Sequence, residues 1–105
     1  MSNRSEAQVR SEIRTGFMHQ GWPFCALVGN EHLAGWPDYL AILTPDTDFP
    51  GVALFVECKR EGEHSRKLQV AIQERLRRAG AIVVSDCMGW GMVVEGLGKE
   101  WIMIK

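Results

Sequence analysis

The segment Val52-Ala-Leu-Phe-Val-Glu-Cys-Lys59 is apolar at each position until its last three, where an acid and a base stand two residues apart. Side chains alternate faces along a strand, so a run of this kind has both faces buried and belongs at the centre of a sheet. Both faces then need cover. In a chain of 105 residues, which fits one domain, the natural arrangement is one sheet with helices packed on it.

The flanking sequence supplies the other elements. Ser5-Glu-Ala-Gln8 has the form of a capping box, and a helix is expected over Ser5–His19 with Val9, Ile13 and Phe17 on one stripe. Gly21-Trp22-Pro23 ends it. Strands are expected at Phe24–Val28, Tyr39–Leu43 and Ala81–Ser85. A second helix is expected over Ser65–Ala79, with Gly80 at its C-terminal end. Met88–Gly98 is rich in glycine and Trp101–Ile104 reads as a final short strand; the apolar residues of this tail (Trp90, Met92, Val93, Val94 and Trp101–Ile104) either complete the monomer's sheet or form an interface between copies of the chain. The fold class is α/β: an αβββαβ core over about 5–85, one mixed sheet flanked by helices, and a tail over 86–105.

Composition narrows the partners. No apolar run approaches the roughly 18 residues of a membrane span. Met1-Ser-Asn-Arg-Ser-Glu-Ala-Gln8 lacks the apolar segment of a signal peptide, so the expected location is cytoplasmic, with no membrane partner and no organic cofactor. Cys25, Cys58 and Cys87 form no CxxC pair and do not combine with His19, His32 or His64 at zinc spacing; they are expected to be reduced and structural. Net charge is −1, yet Lys59–Gly80 concentrates Lys59, Arg60, Arg66, Lys67, Arg75, Arg77 and Arg78 against Glu61, Glu63 and Glu74. A locally basic segment can meet phosphate. It can equally be a solvated helix face.

The chemistry concentrates at one strand end. Period-two alternation puts Glu57 and Lys59 on one side of the central strand. Such a pair is either a salt bridge or part of a site. Asp38 opens the neighbouring strand behind the rigid Trp36-Pro37 approach, and adjacent strand ends can bring it within reach of the same ion as Glu57. Two carboxylates, a main-chain carbonyl (that of Cys58) and water suit Mg²⁺ or Mn²⁺. A lysine beside them can act on the attacking water or offset charge on a phosphate.

Gly35-Trp-Pro-Asp38 followed by Val56-Glu57-Cys58-Lys59 resembles the split motif of the PD-(D/E)XK nuclease superfamily. With Ser5-Glu-Ala-Gln8 before it, and Gln69 and Gly80 after it, the pattern resembles the VRR-NUC (virus-type replication-repair nuclease) family from about Ser5 to Val84. The resemblance implies the αβββαβ core and Mg²⁺- or Mn²⁺-dependent DNA cleavage, often at branched or flapped structures and linked to DNA repair. For a stand-alone phage or bacterial protein it implies likeness to Holliday-junction resolvases and action as a homodimer. The acidic loop Arg60-Glu-Gly-Glu-His64 departs from what a DNA-facing segment should carry.

Helical geometry refines two further positions. Glu6 lies closer to the Val9-Ile13-Phe17 stripe than Glu12 does, and either contacts the metal through water or complements the helix dipole. In the second helix Leu68, Ile72, Leu76 and Ala79 form the expected apolar stripe, with Gln69 at its flank, where it either reaches the site or the scissile phosphate or is a helix-edge amide, and Gln73 further round towards solvent. Arg60, Arg66, Lys67, Arg77 and Arg78 are candidate phosphate contacts. His64 reads as a surface residue, and the tryptophans as packing groups rather than stacking platforms for bases. The expected activity is structure-selective cleavage of branched DNA. A less selective nickase or end-processing nuclease, and a noncatalytic DNA- or protein-binding module, are the alternatives.

Overall fold

The computed structural model describes residues 4–28, 31–44, 51–59 and 62–104, the side chains of 31 and 99–104 excepted. Helix α1 spans Glu6–Gln20. The Ser5 hydroxyl accepts from the Gln8 amide at 3.1 Å, and the Ser5 amide donates to Gln8 Oε1 at 2.7 Å, so two otherwise unpaired amides are satisfied at the helix start. Gly21 ends the helix in the left-handed region, φ 73°, where a side chain would be strained. Strands β1 (Phe24–Ala26), β2 (Tyr39–Ile42) and β3 (Ala53–Cys58) follow, then α2 (Lys67–Arg78), β4 (Ile82–Cys87) and α3 (Trp90–Ile104).

The four strands stand in the order β1-β2-β3-β4. The first three run antiparallel, and β4 lies parallel to β3 because α2 carries the chain back across the sheet. This is the mixed α/β sheet expected. Val9, Ile13 and Phe17 of α1 are fully buried against Tyr39, Ala41, Leu54, Val56, Cys58, Ile82 and Val84. Each fully buried side chain of this size contributes about 1.5–3 kcal/mol. An aromatic cluster joins the elements: Phe17 lies 5.1 Å from Phe24, 6.1 Å from Tyr39 and 5.7 Å from Trp90 between ring centroids. No helix among the described residues is long and apolar enough to cross a membrane.

The structure corrects the reading of two regions. Trp90–Ile104 is a helix, so Trp101–Ile104 is not an added strand; the side chains of those four residues lie outside the described set. The glycines that suggested a turn-rich tail instead permit close packing. A Cβ at Gly96 would come within 2.9 Å of Val84 Cγ2, so glycine lets α3 lie against β4, with Val93 buried beside it. In α2 the buried face is rotated from the expected stripe. Gln73 is 3% exposed and Leu68 57%, because the Gln73 amide donates to Ser65 Oγ at 3.3 Å and so compensates its burial. Leu68 packs instead beside Gly35, whose Cβ would meet it at 2.7 Å.

Helix α1 meets α3 at Gly16, where a Cβ would overlap the Trp90 ring. Gly16→Ala gains about 1 kcal/mol of helix propensity, but overpacking against a ring fixed among Phe17 and Trp22 costs about 1–3 kcal/mol. A net loss of stability is expected, measured as a lower urea midpoint with an unchanged m-value.

Candidate active site at the ends of β2 and β3

Tyr39 pairs with Val56, and one further step of the antiparallel register sets Asp38 opposite Glu57. Pro37, fully buried, fixes the backbone before Asp38. The Asp38 carbonyl accepts from Leu27 N at 2.7 Å, tying the approach to the edge strand. Its carboxylate turns inward and Oδ2 accepts from the Cys58 amide at 3.0 Å. Asp38 is 7% exposed and Glu57 1%.

Two buried acids cannot both ionise cheaply. Burial, followed by the Asp38 charge, pushes the Glu57 carboxyl from its ordinary 4.5 up to about 8; Lys59 opposes the rise, while a hydrogen bond with Asp38 and the charge of Glu6 add to it. The Lys59 amine lies 3.8 Å from Glu57 Oε1. From α1, Arg10 Nε stands 3.7 Å from Asp38 Oδ2 while its Nη2 pairs with Glu6. Two buried atoms here have no hydrogen-bond partner, Glu57 Oε1 and Arg10 Nε.

An orphaned carboxylate oxygen beside a second buried carboxylate is a donor set suited to a hard divalent cation. Among the described residues no three His, Cys, Asp or Glu side chains are gathered to hold an ion by themselves. A cation held here would need its other ligands from main-chain carbonyls and water.

The chain is similar to a solved structure described as a VRR_NUC domain: the two share 28% sequence identity over 92% of this chain and 97% of that one, with a TM-score of 0.64. The chain has a VRR-NUC domain fold. No family model matches the sequence, and no curated protein matches it. The VRR-NUC likeness supports a nuclease domain, and the Asp38–Glu57–Lys59 constellation lies within it.

The other expected site residues are placed as follows. Glu6 is paired with Arg10 and adds its charge to the field on Glu57. Gln69 is engaged at the start of α2, where its Oε1 accepts from Arg66 N at 2.8 Å, and no described contact brings it to the carboxylates. Arg77 donates to the Val83 carbonyl at 3.1 Å, a tie between α2 and β4. Arg66, Lys67 and Arg78 are exposed, and Arg60 lies outside the described residues. His64 is exposed, as expected, with Nδ1 3.9 Å from Asp86 Oδ2. Cys58 and Cys87 are free and buried, Cys25 free and exposed; burial raises both buried thiols.

Sequence reasoning missed three contributors. Arg10 stands four residues after Glu6, a helix-pair spacing that was legible. Glu12 accepts from the Trp90 amide and pairs with Arg4 at 3.0 Å, satisfying the first turn of α3; with that segment read as a tail, nothing signalled it. Asp86 is the third. It lies in β4 where the register shifts between the Val56–Val84 and Cys58–Cys87 pairs, at φ 51°, and a bulge leaves no mark in a sequence of this kind.

The raised Glu57 pKa has a consequence for stability. The folded state binds this proton more tightly than the unfolded chain, so the stabilisation is fully present below about pH 4.5 and lost as pH rises through about 8. In EDTA, the melting temperature is expected to fall across that window, and Glu57→Gln to flatten the fall. An equal slope in the variant would count against a protonated Glu57.

Proposed function

We propose that the chain is a Mg²⁺- or Mn²⁺-dependent endonuclease that hydrolyses DNA phosphodiester bonds. The observation that carries this reading is the buried Asp38–Glu57 pair, with an unpartnered Glu57 oxygen and the Lys59 amine 3.8 Å away. Asp38, Glu57 and the Cys58 main-chain carbonyl would hold the ion, with Glu6 contributing through water. When bound, the ion neutralises charge on the phosphate and activates water. Lys59 donates to the phosphate oxygens as negative charge builds on them. Arg66, Lys67 and Arg78 contact the phosphate backbone, with Arg60 a further candidate from the sequence. Gln69 is left to the start of α2.

The substrate we favour is branched DNA of the Holliday-junction type, cut by a homodimer in the cytoplasm of a bacterial cell or phage-infected host, in the service of DNA repair. A four-way junction is two-fold symmetric, one chain carries one such site, and a C2 pair supplies the second in opposed orientation. Of the apolar tail residues expected at an interface, Val93 is buried and Trp90 and Met92 pack against the core of the monomer. That leaves the exposed Val94 of α3, with Trp101–Ile104 from the sequence, as the candidate interface.

A gel assay on four-way junction, flap and linear duplex, with Mg²⁺ and with EDTA, tests the reading. Cleavage that prefers the junction and stops in EDTA is expected; equal cutting of all three would leave a less selective nuclease, and no cutting a noncatalytic module. Lys59→Ala should lower turnover by about 10²–10⁴-fold with DNA affinity nearly intact. Asp38→Asn should weaken Mn²⁺ binding by calorimetry. The protein should elute as a dimer, and a monomer at micromolar concentration that still makes paired symmetric cuts would overturn the assembly.

A further inference from the structure

The connection between β3 and α2 begins with Lys59, and both of its ends are pinned to successive residues of β4. At the near end, Lys59 N donates to the Cys87 carbonyl at 2.9 Å. At the far end, the Asp86 carboxylate accepts from both Ser65 groups: Oδ1 lies 3.0 Å from Ser65 N and 2.7 Å from Ser65 Oγ. Ser65 Oγ is held again by the buried Gln73 amide. The backbone of Asp86 is left-handed, φ 51°, and no other described non-glycine residue has a positive φ.

That conformation is costly for a residue with a Cβ, though least so for Asn and Asp, and strain of this kind persists where surrounding structure demands it. Here the demand is geometric. The register slips between the Val56–Val84 and Cys58–Cys87 pairs, so the bulge in β4 stands opposite Glu57. The extra residue lets Cys87 meet Lys59 while Asp86 turns its carboxylate onto Ser65. Glycine would relieve the backbone strain but supply no carboxylate, so the identity of this residue reflects the anchor.

We infer that Asp86 is a positioning residue: its hold on Ser65 fixes the β4 bulge, and through the adjacent Cys87 carbonyl, which accepts from Lys59 N, the bulge keeps the Lys59 amine against Glu57. The inference rests on the proposed role of Lys59 in hydrolysis, and the test separates the two. Asp86→Gly removes the carboxylate and the strain together, Asp86→Ala removes the carboxylate alone, and Asp86→Asn keeps an oxygen that accepts from Ser65 and a residue that tolerates the left-handed region. Two quantities are measured for each: the rate at which an amine-acylating reagent modifies Lys59, by mass spectrometry, and kcat and KM for junction cleavage with Mn²⁺.

In Asp86→Gly and Asp86→Ala, Lys59 is expected to react several-fold faster, and kcat to fall by about 10²-fold, the usual loss from an ångström-scale misplacement, with KM unchanged. Asp86→Asn should match the wild type in both. A merely structural role predicts that activity follows stability, so an Asp86→Gly protein as stable as the wild type yet slow in turnover supports positioning. Wild-type Lys59 reactivity in both Asp86→Gly and Asp86→Ala overturns the inference. If Lys59 reactivity responds as expected but Lys59→Ala cleaves as the wild type does, the anchor stands and the catalytic role of Lys59 falls.

Discussion

The hydrogen bond from the Cys58 amide to Asp38 Oδ2, 3.0 Å long, is the contact on which the candidate site depends. It fastens the side chain that opens β2 to the backbone that closes β3. The bond satisfies one oxygen of a carboxylate that is only 7% exposed, which offsets part of the cost of burying it. Cys58 is also the residue whose neighbours on either side are Glu57 and Lys59, the other two members of the candidate site. One backbone amide thus sets the spacing of acid, acid and base. Moving β2 by one residue against β3 would turn Asp38's neighbours to the opposite face and dissolve the arrangement.

The sheet protects that register from both sides. Tyr39, Leu54, Val56 and Cys58 are buried under α1, and Arg14 donates to the Tyr39 hydroxyl at 2.7 Å, so a polar atom in the core is satisfied from the same helix. On the other flank β4 departs from regular pairing only where Glu57 stands. The irregularity falls at the candidate site, with regular ladder from Leu54 to Val56 before it. Helix α3, packed through Gly96 onto Val84, backs the strand that carries the bulge.

Much of this was legible in the sequence because it obeys period and spacing. The α1 capping box and its Val9-Ile13-Phe17 stripe, the central position of β3 and the closeness of Asp38 to Glu57 follow from local pattern alone. What escaped was decided by tertiary contact. Glycine reads as a turn former, yet Gly96 sits in a helix because Val84 leaves no room for a side chain. Gln73 reads as solvent-facing, yet it is buried because Ser65 accepts its proton. The left-handed Asp86 depends on a register slip between two strands far apart in sequence. Gln69 carried a family pattern, while its amide serves the α2 start; the same residue type at the same spacing can answer either demand.

Charge explains why the site is built at some expense to stability. Glu6, Asp38 and Glu57 face Arg10 and Lys59, so full ionisation would leave an excess negative charge in a poorly solvated place. The protein resolves this by letting Glu57 hold its proton up to about pH 8. A further cation in the pocket would remove the need for that proton, since a positive ion beside a carboxylate favours its charged form. Arg10 does not fill that role: its guanidinium is divided between Glu6 and Asp38 and leaves Nε without a hydrogen bond. Lys59 stops short as well, at 3.8 Å from an oxygen that no donor satisfies. A core assembled for stability alone would pair that oxygen or replace Glu57 with an apolar residue of similar size; retaining it, buried and half-compensated, is what the proposed nuclease would require, since a carboxylate so placed could exchange its proton for a metal ion.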